Sequence, residues 1–261
     1  MRVLCETRYG GHAQPGGLVR ALSDRGHAVE VLDPGTEGGQ VGLPVAADLV
    51  VARGRSSAVL AAVLHAERVG VRTINARAAV DAVHNKLDMA VRLATGGVPM
   101  PPTWAGRPSD LARRIPAPAY PIVLKPIFGD NANGLRLVDD ARELAGAEWP
   151  EPVALAQRYL AGDGWDLKLY GIGDRLFAVR KPSPFPPGRR PAIAEPVRLT
   201  DEHRALGERC RRLFGLELFG IDCLETADGV VVIEVNEFPN YTGVPDADDQ
   251  LADHVLAARS R

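Results

Sequence analysis

Oxygen-bearing side chains stand on two neighbouring apolar segments near the carboxyl end of the chain. Asp222 lies in LFGIDCLE, and Glu234 and Asn236 lie two residues apart in VVVIEVNEF. Residues two apart on a strand share a face, and a hairpin closed at TADG would place Asp222 opposite that face, whereas Glu237 would point to the other side. Carboxylate and amide oxygens are the ligands that Mg²⁺ prefers, with waters or substrate phosphates completing its coordination. The spacing predicts a metal site of Asp222, Glu234 and Asn236; the alternative is a hairpin with a polar, solvated face.

A lysine followed by a glycine-bearing loop indicates a second site, suited to phosphates. Lys125 ends the apolar segment PIVLK, and the loop GDNANG, with Gly129, Asn131 and Gly134, follows it. Backbone N–H groups of such a turn can contact phosphate oxygens while an ammonium group neutralises their charge. The loop is not a Walker loop, because GxxxxGK[ST] is absent and the lysine precedes the glycines. A hairpin turn without a ligand is the alternative, and Lys86, in HNKLDMAVRL, is either a second phosphate ligand or an exposed lysine.

Two further segments are informative mainly by their position between these sites. The strand that runs into QRYL contains Gln157, Tyr159 and Leu160 and could present backbone groups to an adenine edge. In WDLKLY, Asp166 and Lys168 lie two residues apart, which puts an acid and a base on one face of the next strand. By pattern alone, both segments equally fit an ordinary exposed strand pair.

The predicted secondary structure that holds these residues differs between the first part of the chain and the rest. Residues 1 to about 78 alternate strands and helices, as in MRVLCE, GGLVRALSDRG and HAVEVLD. This pattern predicts an α/β lobe with a largely parallel sheet and a ligand crevice at the carboxyl ends of its strands. The later part is dense in strands, and its turn sequences IGDR and TADG favour antiparallel sheets. The proline-rich VPMPPTW is predicted as a connector. The fold class is therefore α/β at the start and α+β in the C-terminal two thirds.

Composition excludes several classes of protein. The chain of 261 residues is 46% hydrophobic and 25% charged, which is typical of a folded globular protein. A net charge of −2 provides no general basic field, so neither nucleic acid nor an anionic membrane is expected as a partner. The three cysteines form no CxxC pair, which speaks against a disulfide framework or a zinc site. No signal peptide and no apolar run of ~20 residues is visible, and we therefore expect a cytoplasmic protein.

The order of these motifs resembles the ATP-grasp superfamily over nearly the whole chain. That order is Lys86, Lys125 with its glycine loop, QRYL, and then the Asp222, Glu234 and Asn236 set. The segments YPIVLKPIFGDNANGLRLV, AEPVRLT and GIDCLETADGVVVIEVNEFPN look most like the RimK-like branch, the glutamate ligases that modify ribosomal protein. The resemblance implies three lobes, at residues 1–80, 81–160 and 161–261, with ATP held between two antiparallel sheets of the last two.

The resemblance also implies cofactors and roles for individual residues. ATP and two Mg²⁺ ions, or Mn²⁺ in their place, are the expected cofactors. Nucleotide contacts are expected from Lys86, Lys125, Gly129, Asn131, Gly134, Gln157, Tyr159, Leu160 and Asp166, and metal contacts from Asp222, Glu234 and Asn236. Lys168, Arg180 and Lys181 are the catalytic candidates. Arg180 and Lys181 would hold an acyl phosphate or the acceptor carboxylate; the alternative for both is a solvated strand end.

The activity implied is ADP-forming ligation of a carboxylate to an amine through an acyl phosphate. Small carboxylates and amines, such as amino acids or short peptides, are the expected partners, and a homodimer is possible within this family. The chain departs from the family pattern in GDNANG, which lacks the central glycine and the serine of many ligases. It departs again at Asn240, where glycine is usual.

Two alternatives to a ligase remain open from the sequence. VRKPSPFP and VNEFPNYTGVP also resemble ATP-grasp inositol-polyphosphate kinases, which would transfer the γ-phosphoryl group to a hydroxyl. Basic contacts for such a substrate could come from Arg8, His12, Arg53, Arg55, Arg189 and Arg190. The other alternative is a non-catalytic nucleotide-binding module. The retained lysines and the complete acidic set argue against it.

Overall fold

The first lobe is a parallel sheet, as the alternation of strands and helices predicts. The computed structural model of the chain describes residues 1–37, 46–129, 133–183 and 194–260. Strands β1 (Arg2–Cys5), β2 (Glu30–Leu32), β3 (Leu49–Arg53) and β4 (Arg72–Ile74) pair in the order β2-β1-β3-β4, all in parallel. Helices α1 (Ala13–Asp24), α2 (Pro34–Glu37) and α3 (Ser57–Arg68) connect them. The carboxyl ends of β1 and β3 thus meet at one edge, where a parallel sheet binds its ligands.

The second sheet is antiparallel and has the order β5-β8-β6-β7. Its strands are β5 (Thr103–Gly106), β6 (Ile122–Pro126), β7 (Arg136–Val138) and β8 (Ala154–Arg158), with the short helices α6 (Pro108–Leu111) and α7 (Ala141–Ala145) between them. The prediction that VPMPPTW is only a connector is wrong at its end, because Thr103 and Trp104 belong to β5. β5 begins directly after these prolines and forms one edge of the sheet.

The third sheet is a five-stranded antiparallel sheet with the order β11-β10-β9-β12-β13. Its strands are β9 (Trp165–Ile172), β10 (Arg175–Pro182), β11 (Glu195–Val197), β12 (Leu218–Thr226) and β13 (Gly229–Glu237). Helices α4 (Arg77–His84), α5 (Lys86–Thr95) and α8 (Asp201–Phe214) share one hydrophobic cluster with this sheet. Thr200 caps α8 by accepting from His203 N–H, and Gly215 ends it with a φ of 67°.

A β-bulge in the β12–β13 hairpin separates its apolar and polar faces. Asp222 pairs with Glu234, but the next residue, Cys223, pairs with Val232, so one extra residue stands in β13. The bulge resets the alternation, and Val232 and Val235 can both pack into the core shared with α4, α5 and α8. Glu234 is thereby left on the opposite face, where it is half-buried.

The fold as a whole confirms the predicted class, a parallel α/β part followed by two antiparallel sheets. Helix α9 (Ala247–Arg259) returns to the first lobe, where Leu251 and Val255 pack in one cluster with Leu18 and Leu22 of α1. Within the ranges described, no helix is both long and apolar enough to cross a bilayer. The lobe boundaries near 80 and 160 and the cytoplasmic location stay predictions.

Candidate functional site

All three sheets contribute walls to one cavity of about 540 Å³. The first sheet contributes Arg53 at the end of β3, the second contributes Lys125 of β6, and the third contributes Asp222 and Glu234. Such a volume lies within the usual range for small-molecule sites. The cavity therefore lies where the sequence predicted a nucleotide, and it also reaches the carboxyl edge of the parallel sheet.

The predicted metal ligands come together through the β12–β13 hairpin. Asp222 and Glu234 are directly paired across the two strands, and Asn236, paired with Gly220, lines the same cavity. Each carboxylate contacts a lysine: Glu234 Oε1 lies 2.9 Å from Lys86 Nζ. Asp222 Oδ1 lies 2.9 Å from Lys168 Nζ. The lysines neutralise two carboxylates whose burial would otherwise be costly.

The donor set fits a hard cation that also takes ligands from a substrate. In the part of the chain that the structure describes, no group of three or more His, Cys, Asp or Glu is arranged for a metal. A metal ion here would need the amide oxygen of Asn236 beside the two carboxylates, and further oxygens from phosphates or water. Mg²⁺ is commonly bound in this manner, through one or two carboxylates and substrate phosphates.

Lys168 lies between two carboxylates and acts as a fixed positive charge. Its Nζ lies 3.5 Å from Asp166 Oδ2 as well as 2.9 Å from Asp222 Oδ1. Burial alone would lower the pKa of Lys168, but Asp222 and Asp166 outweigh burial and raise this pKa well above its ordinary value. Burial also raises the pKa of Asp166, an effect that Lys168 opposes. Lys168 can thus orient Asp222, but it is a poor proton acceptor at neutral pH.

Lys86 connects the acidic pair to the glycine loop. It is the first residue of α5, and the side chain of Asn85 caps this helix by accepting from Leu87 N–H at 2.9 Å. The Lys86 ammonium group donates to the carbonyl oxygen of Gly129 in addition to contacting Glu234. From this position the Lys86 ammonium group can donate to phosphate oxygens in place of Gly129 O or Glu234.

Lys125 is the other predicted phosphate ligand, and it is 6% exposed. Its Nζ donates to Gln157 Oε1 at 2.6 Å, and Gln157 Nε2 donates to Thr103 Oγ1 at 3.1 Å. Burial lowers the pKa of Lys125 to about 8, and the nearby Glu234 opposes this effect. The chain of contacts holds the lysine toward the cavity with no carboxylate in direct contact among the described residues.

The glycine loop passes close to Pro126. A Cβ on Gly129 would lie 2.7 Å from Pro126 Cγ, and Gly134 has a φ of 75°. Both positions therefore need glycine, the first for space and the second for backbone conformation. Gly129 lines the cavity, and Gly134 lies behind it against Pro126. Asn131 lies outside the described residues.

The predicted adenine segment lines the cavity at Gln157, Tyr159 and Leu160. The Tyr159 N–H donates to Pro121 O at 2.9 Å, so this group holds the strand rather than the ligand. Leu160 follows β8, and its backbone N–H has no acceptor within the described ranges. Of the three residues, Leu160 is thus the one whose N–H is available to a base.

Lys181 and Arg180 separate onto opposite faces of β10. Lys181 pairs with Asp166 and lines the cavity, and burial and the charge of Lys168 lower its pKa. Arg180 contacts Asp163 at 2.6 Å and Glu225 at 3.6 Å instead, and it is absent from the described cavity lining. Arg180 thus lies on the face of β10 opposite to Lys181, because successive strand residues point to opposite faces, and its role toward a ligand stays a prediction.

The first lobe and the chain around the end of β13 add residues that were not in the predicted nucleotide and metal set. Tyr9, Arg53, Arg55, Glu237 and Asn240 all line the cavity. Arg55 Nη1 lies 3.8 Å from Glu237 Oε2, although strand alternation predicted that Glu237 would point away from the site. Burial raises the pKa of Glu237, and the two arginines oppose this effect. The sequence placed Arg53 and Arg55 at the carboxyl end of a parallel strand but assigned them to a substrate only under the kinase alternative.

Glu6 fixes the turn that carries these arginines. Its carboxylate accepts from the backbone N–H of Arg55 and, at 2.7 Å, from that of Ser56. Gly54 adopts a φ of 137°, and a Cβ there would lie 2.4 Å from Glu6 Oε1. Only glycine therefore allows the turn to close onto this carboxylate.

A family model described as a RimK-like ATP-grasp domain matches residues 83–258. The chain belongs to the RimK-like ATP-grasp family. The activity class follows: the protein is an ATP-dependent ligase that forms a C–N bond between a carboxylate and an amine. The ligase prediction is confirmed, in preference to a kinase or a non-catalytic module.

Individual relatives support the family and the fold. A probable alpha-L-glutamate ligase 1 of Shewanella amazonensis is 28% identical over 263 residues, which cover 88% of this chain and 85% of that protein. The structure of D-cycloserine synthetase DcsG superposes with a TM-score of 0.78 at 19% identity and covers 100% of this chain and 99% of its own. The ATP-grasp ligase PsnB, solved in complex with minimal precursor, Mg, and ADP, has a TM-score of 0.75 at 20% identity and covers 100% and 98%.

Most of the predicted site residues of this RimK-like ATP-grasp ligase meet at the cavity. Those that line it are Lys86, Lys125, Gly129, Gln157, Tyr159, Leu160, Asp166, Lys168, Lys181, Asp222, Glu234 and Asn236. Their proximity is an observation, and their individual roles toward nucleotide and metal stay predictions.

Proposed function

We propose that this RimK-like ATP-grasp ligase is an ADP-forming enzyme that activates a small carboxylic acid as an acyl phosphate and transfers the acyl group to an amine. One observation carries the proposal: Asp222 and Glu234, each paired with a lysine, face a cavity bounded by two antiparallel sheets. L-Glutamate is the first substrate to test, because related proteins are named alpha-L-glutamate ligases.

The nucleotide would lie with its phosphates toward the lysines and the acidic pair. Lys86 and Lys125 supply two ammonium groups to the phosphates, and Leu160 supplies a free backbone N–H at the base end. Asp222, Glu234 and Asn236 would hold Mg²⁺, in two ions as the family resemblance implies, with Mn²⁺ as a substitute. Bound Mg²⁺ supplies Lewis-acid neutralisation of the phosphate charge.

The chemistry then needs positioning and charge rather than a protein nucleophile. In the first step, a carboxylate oxygen of the acid bonds to the γ-phosphorus as the bond to the β-phosphate oxygen breaks, which gives an acyl phosphate and ADP. In the second, the amine nitrogen bonds to the acyl carbon, phosphate leaves, and the nitrogen loses a proton. Lys181, on the cavity face of β10, is placed to hold the acyl phosphate. Lys168 keeps its proton and orients Asp222.

Trapping with hydroxylamine tests the proposal directly. The full chain is incubated with Mg-ATP, hydroxylamine and one carboxylic acid at a time, starting with L-glutamate, and the hydroxamate and ADP are measured. We expect equal amounts of both, and loss of both in Asp222→Asn. Arg113→Gln is the matched control, because Arg113 is 72% exposed and pairs only with Asp110 in the ranges described.

Two results would contradict the proposal. Phosphorylation of an alcohol, with no hydroxamate from any acid, would show kinase chemistry. Failure of the wild-type chain to bind Mg-ATP would show that the cavity holds no nucleotide.

A further inference from the structure

Arg53 is a buried positive charge of the cavity that the proposed nucleotide and metal chemistry does not use. Arg53, at the end of β3, is 6% exposed and lines the cavity. Its Nη2 donates to Asn240 Oδ1 at 3.0 Å, and its guanidinium lies 4.6 Å from the ring centroid of Tyr9 and 5.6 Å from that of Phe238. In the described parts of the chain it has no carboxylate within ion-pair distance, and its buried Nε has no hydrogen-bond partner. A buried charge without a counterion is costly, which points to an anion supplied by a ligand.

The other charged side chains described near Arg53 form pairs of opposite charge, which leaves the positive charge of Arg53 in excess. Arg8 Nε lies 2.6 Å from Glu6 Oε2, which offsets the charge of Glu6. Arg55 lies beside Glu237, which offsets the charge of Arg55. Among the residues that the structure describes here, Arg8, Arg53 and Arg55 thus face two carboxylates, Glu6 and Glu237, so one positive charge is in excess. A carboxylate, with a single negative charge, balances it, whereas a phosphate group would leave negative charge in excess.

The position of Arg53 separates it from the groups that would carry out the reaction. Its side chain contacts Tyr9, Phe238 and Asn240. The acidic pair instead contacts Lys86 and Lys168. Asn240 also bonds His12 at 3.3 Å between Nδ2 and Nδ1, so its amide joins two residues of the first lobe.

We propose, on the basis of the proposed ligase function, that Arg53 and Asn240 form a subsite for a carboxylate that does not react, and that one substrate is an amino acid held there by its α-carboxylate. The planar guanidinium suits a carboxylate because two N–H groups can donate to two oxygens. Tyr9 and Phe238 hold its plane in position. Arg53 is accordingly a specificity-determining residue.

Paired ligands test the subsite. Each of the common amino acids and its α-amide is titrated calorimetrically into the full chain with Mg²⁺ and a non-hydrolysable ATP analogue. We expect at least one amino acid to bind about tenfold more tightly than its amide. Arg53→Gln should reduce the ratio of the amide Kd to the amino acid Kd to about one. Arg53→Lys keeps the charge but loses the paired N–H donors of the guanidinium, and it should give an intermediate ratio. The exposed Arg113→Gln should keep the full ratio.

Several outcomes would overturn the inference. One is a preference for the acid that Arg53→Gln and Arg53→Lys both retain. Another is a wild-type chain that binds the Mg-nucleotide but no amino acid better than its amide. If both variants also bind the nucleotide about tenfold more weakly, Arg53 maintains the structure of the whole cavity rather than binding one carboxylate, and the subsite is refuted. Failure of the ligase proposal is visible separately, as the absence of nucleotide binding or of hydroxamate in the wild type.

Discussion

Binding of Mg-ATP should weaken as pH rises through about 8, because Lys125 must be charged to bind phosphate. Burial lowers the pKa of this lysine from its ordinary 10.5 to about 8. A phosphate group nearby favours the protonated form, so the bound nucleotide raises this pKa again. Above about pH 8, binding must therefore take up a proton, and the apparent affinity falls with increasing pH.

The magnitude follows from the fraction of Lys125 that is protonated. With a pKa of about 8, this fraction falls about tenfold between about pH 7 and about pH 9, which corresponds to ~1.4 kcal/mol of binding free energy. The assay is calorimetric titration with a non-hydrolysable ATP analogue at saturating Mg²⁺. Lys125→Arg is the matched variant, since arginine keeps its charge over this range.

The unliganded protein should show the opposite trend. The unfolded chain keeps the lysine proton up to about pH 10.5, but the folded chain releases it near pH 8. The unfolded state therefore binds more protons in this window, and the free energy of unfolding should rise with pH there by comparison with Lys125→Arg. A nucleotide Kd that changes less than about twofold from about pH 7 to about pH 9, or an equal slope in Lys125→Arg, would refute the assignment of Lys125 to phosphate.

Three further substitutions test the site and the fold. Glu234→Gln should lower ligase activity about 100-fold and weaken Mg²⁺ dependence, measured as ADP release against Mg²⁺ concentration; wild-type activity would rule out a role as a metal ligand. Glu6→Gln, which replaces the acceptor of two backbone N–H groups, should lower the free energy of unfolding by about 1–3 kcal/mol in urea, and a change below ~0.5 kcal/mol would contradict its role in the turn. Gly171→Ala should cost about 3 kcal/mol because the new Cβ would lie 2.1 Å from the Phe219 ring. Its control, Gly11→Ala, has nothing within 4 Å and should be neutral in thermal unfolding.

The nucleotide end of the cavity could be predicted from the sequence, because pairing between strands that are adjacent in the sequence sets the positions of its residues. A hairpin sets the register of Asp222 and Glu234. Alternation along β9 places Asp166 and Lys168 on one face, and the β9–β10 pairing places Lys181 opposite Asp166. The β-bulge left this part of the prediction intact because the extra residue precedes Glu234. The same alternation puts Arg180 on the face of β10 opposite to Lys181.

The other end depends on contacts that no local pattern encodes. Arg53 and Asn240 are 187 residues apart in sequence, and their contact exists only because the parallel sheet and the end of β13 close on the same cavity. Exposure of Arg53 was equally compatible with the sequence, since the chain contains many arginines; its burial without a carboxylate partner was visible only in three dimensions. Family membership is carried by residues 83–258, and Arg53 lies outside them. The nucleotide end is therefore set by local pairing within the matched domain, whereas the carboxylate subsite that we propose joins Arg53 of the first lobe to Asn240 of that domain and exists only where the two meet.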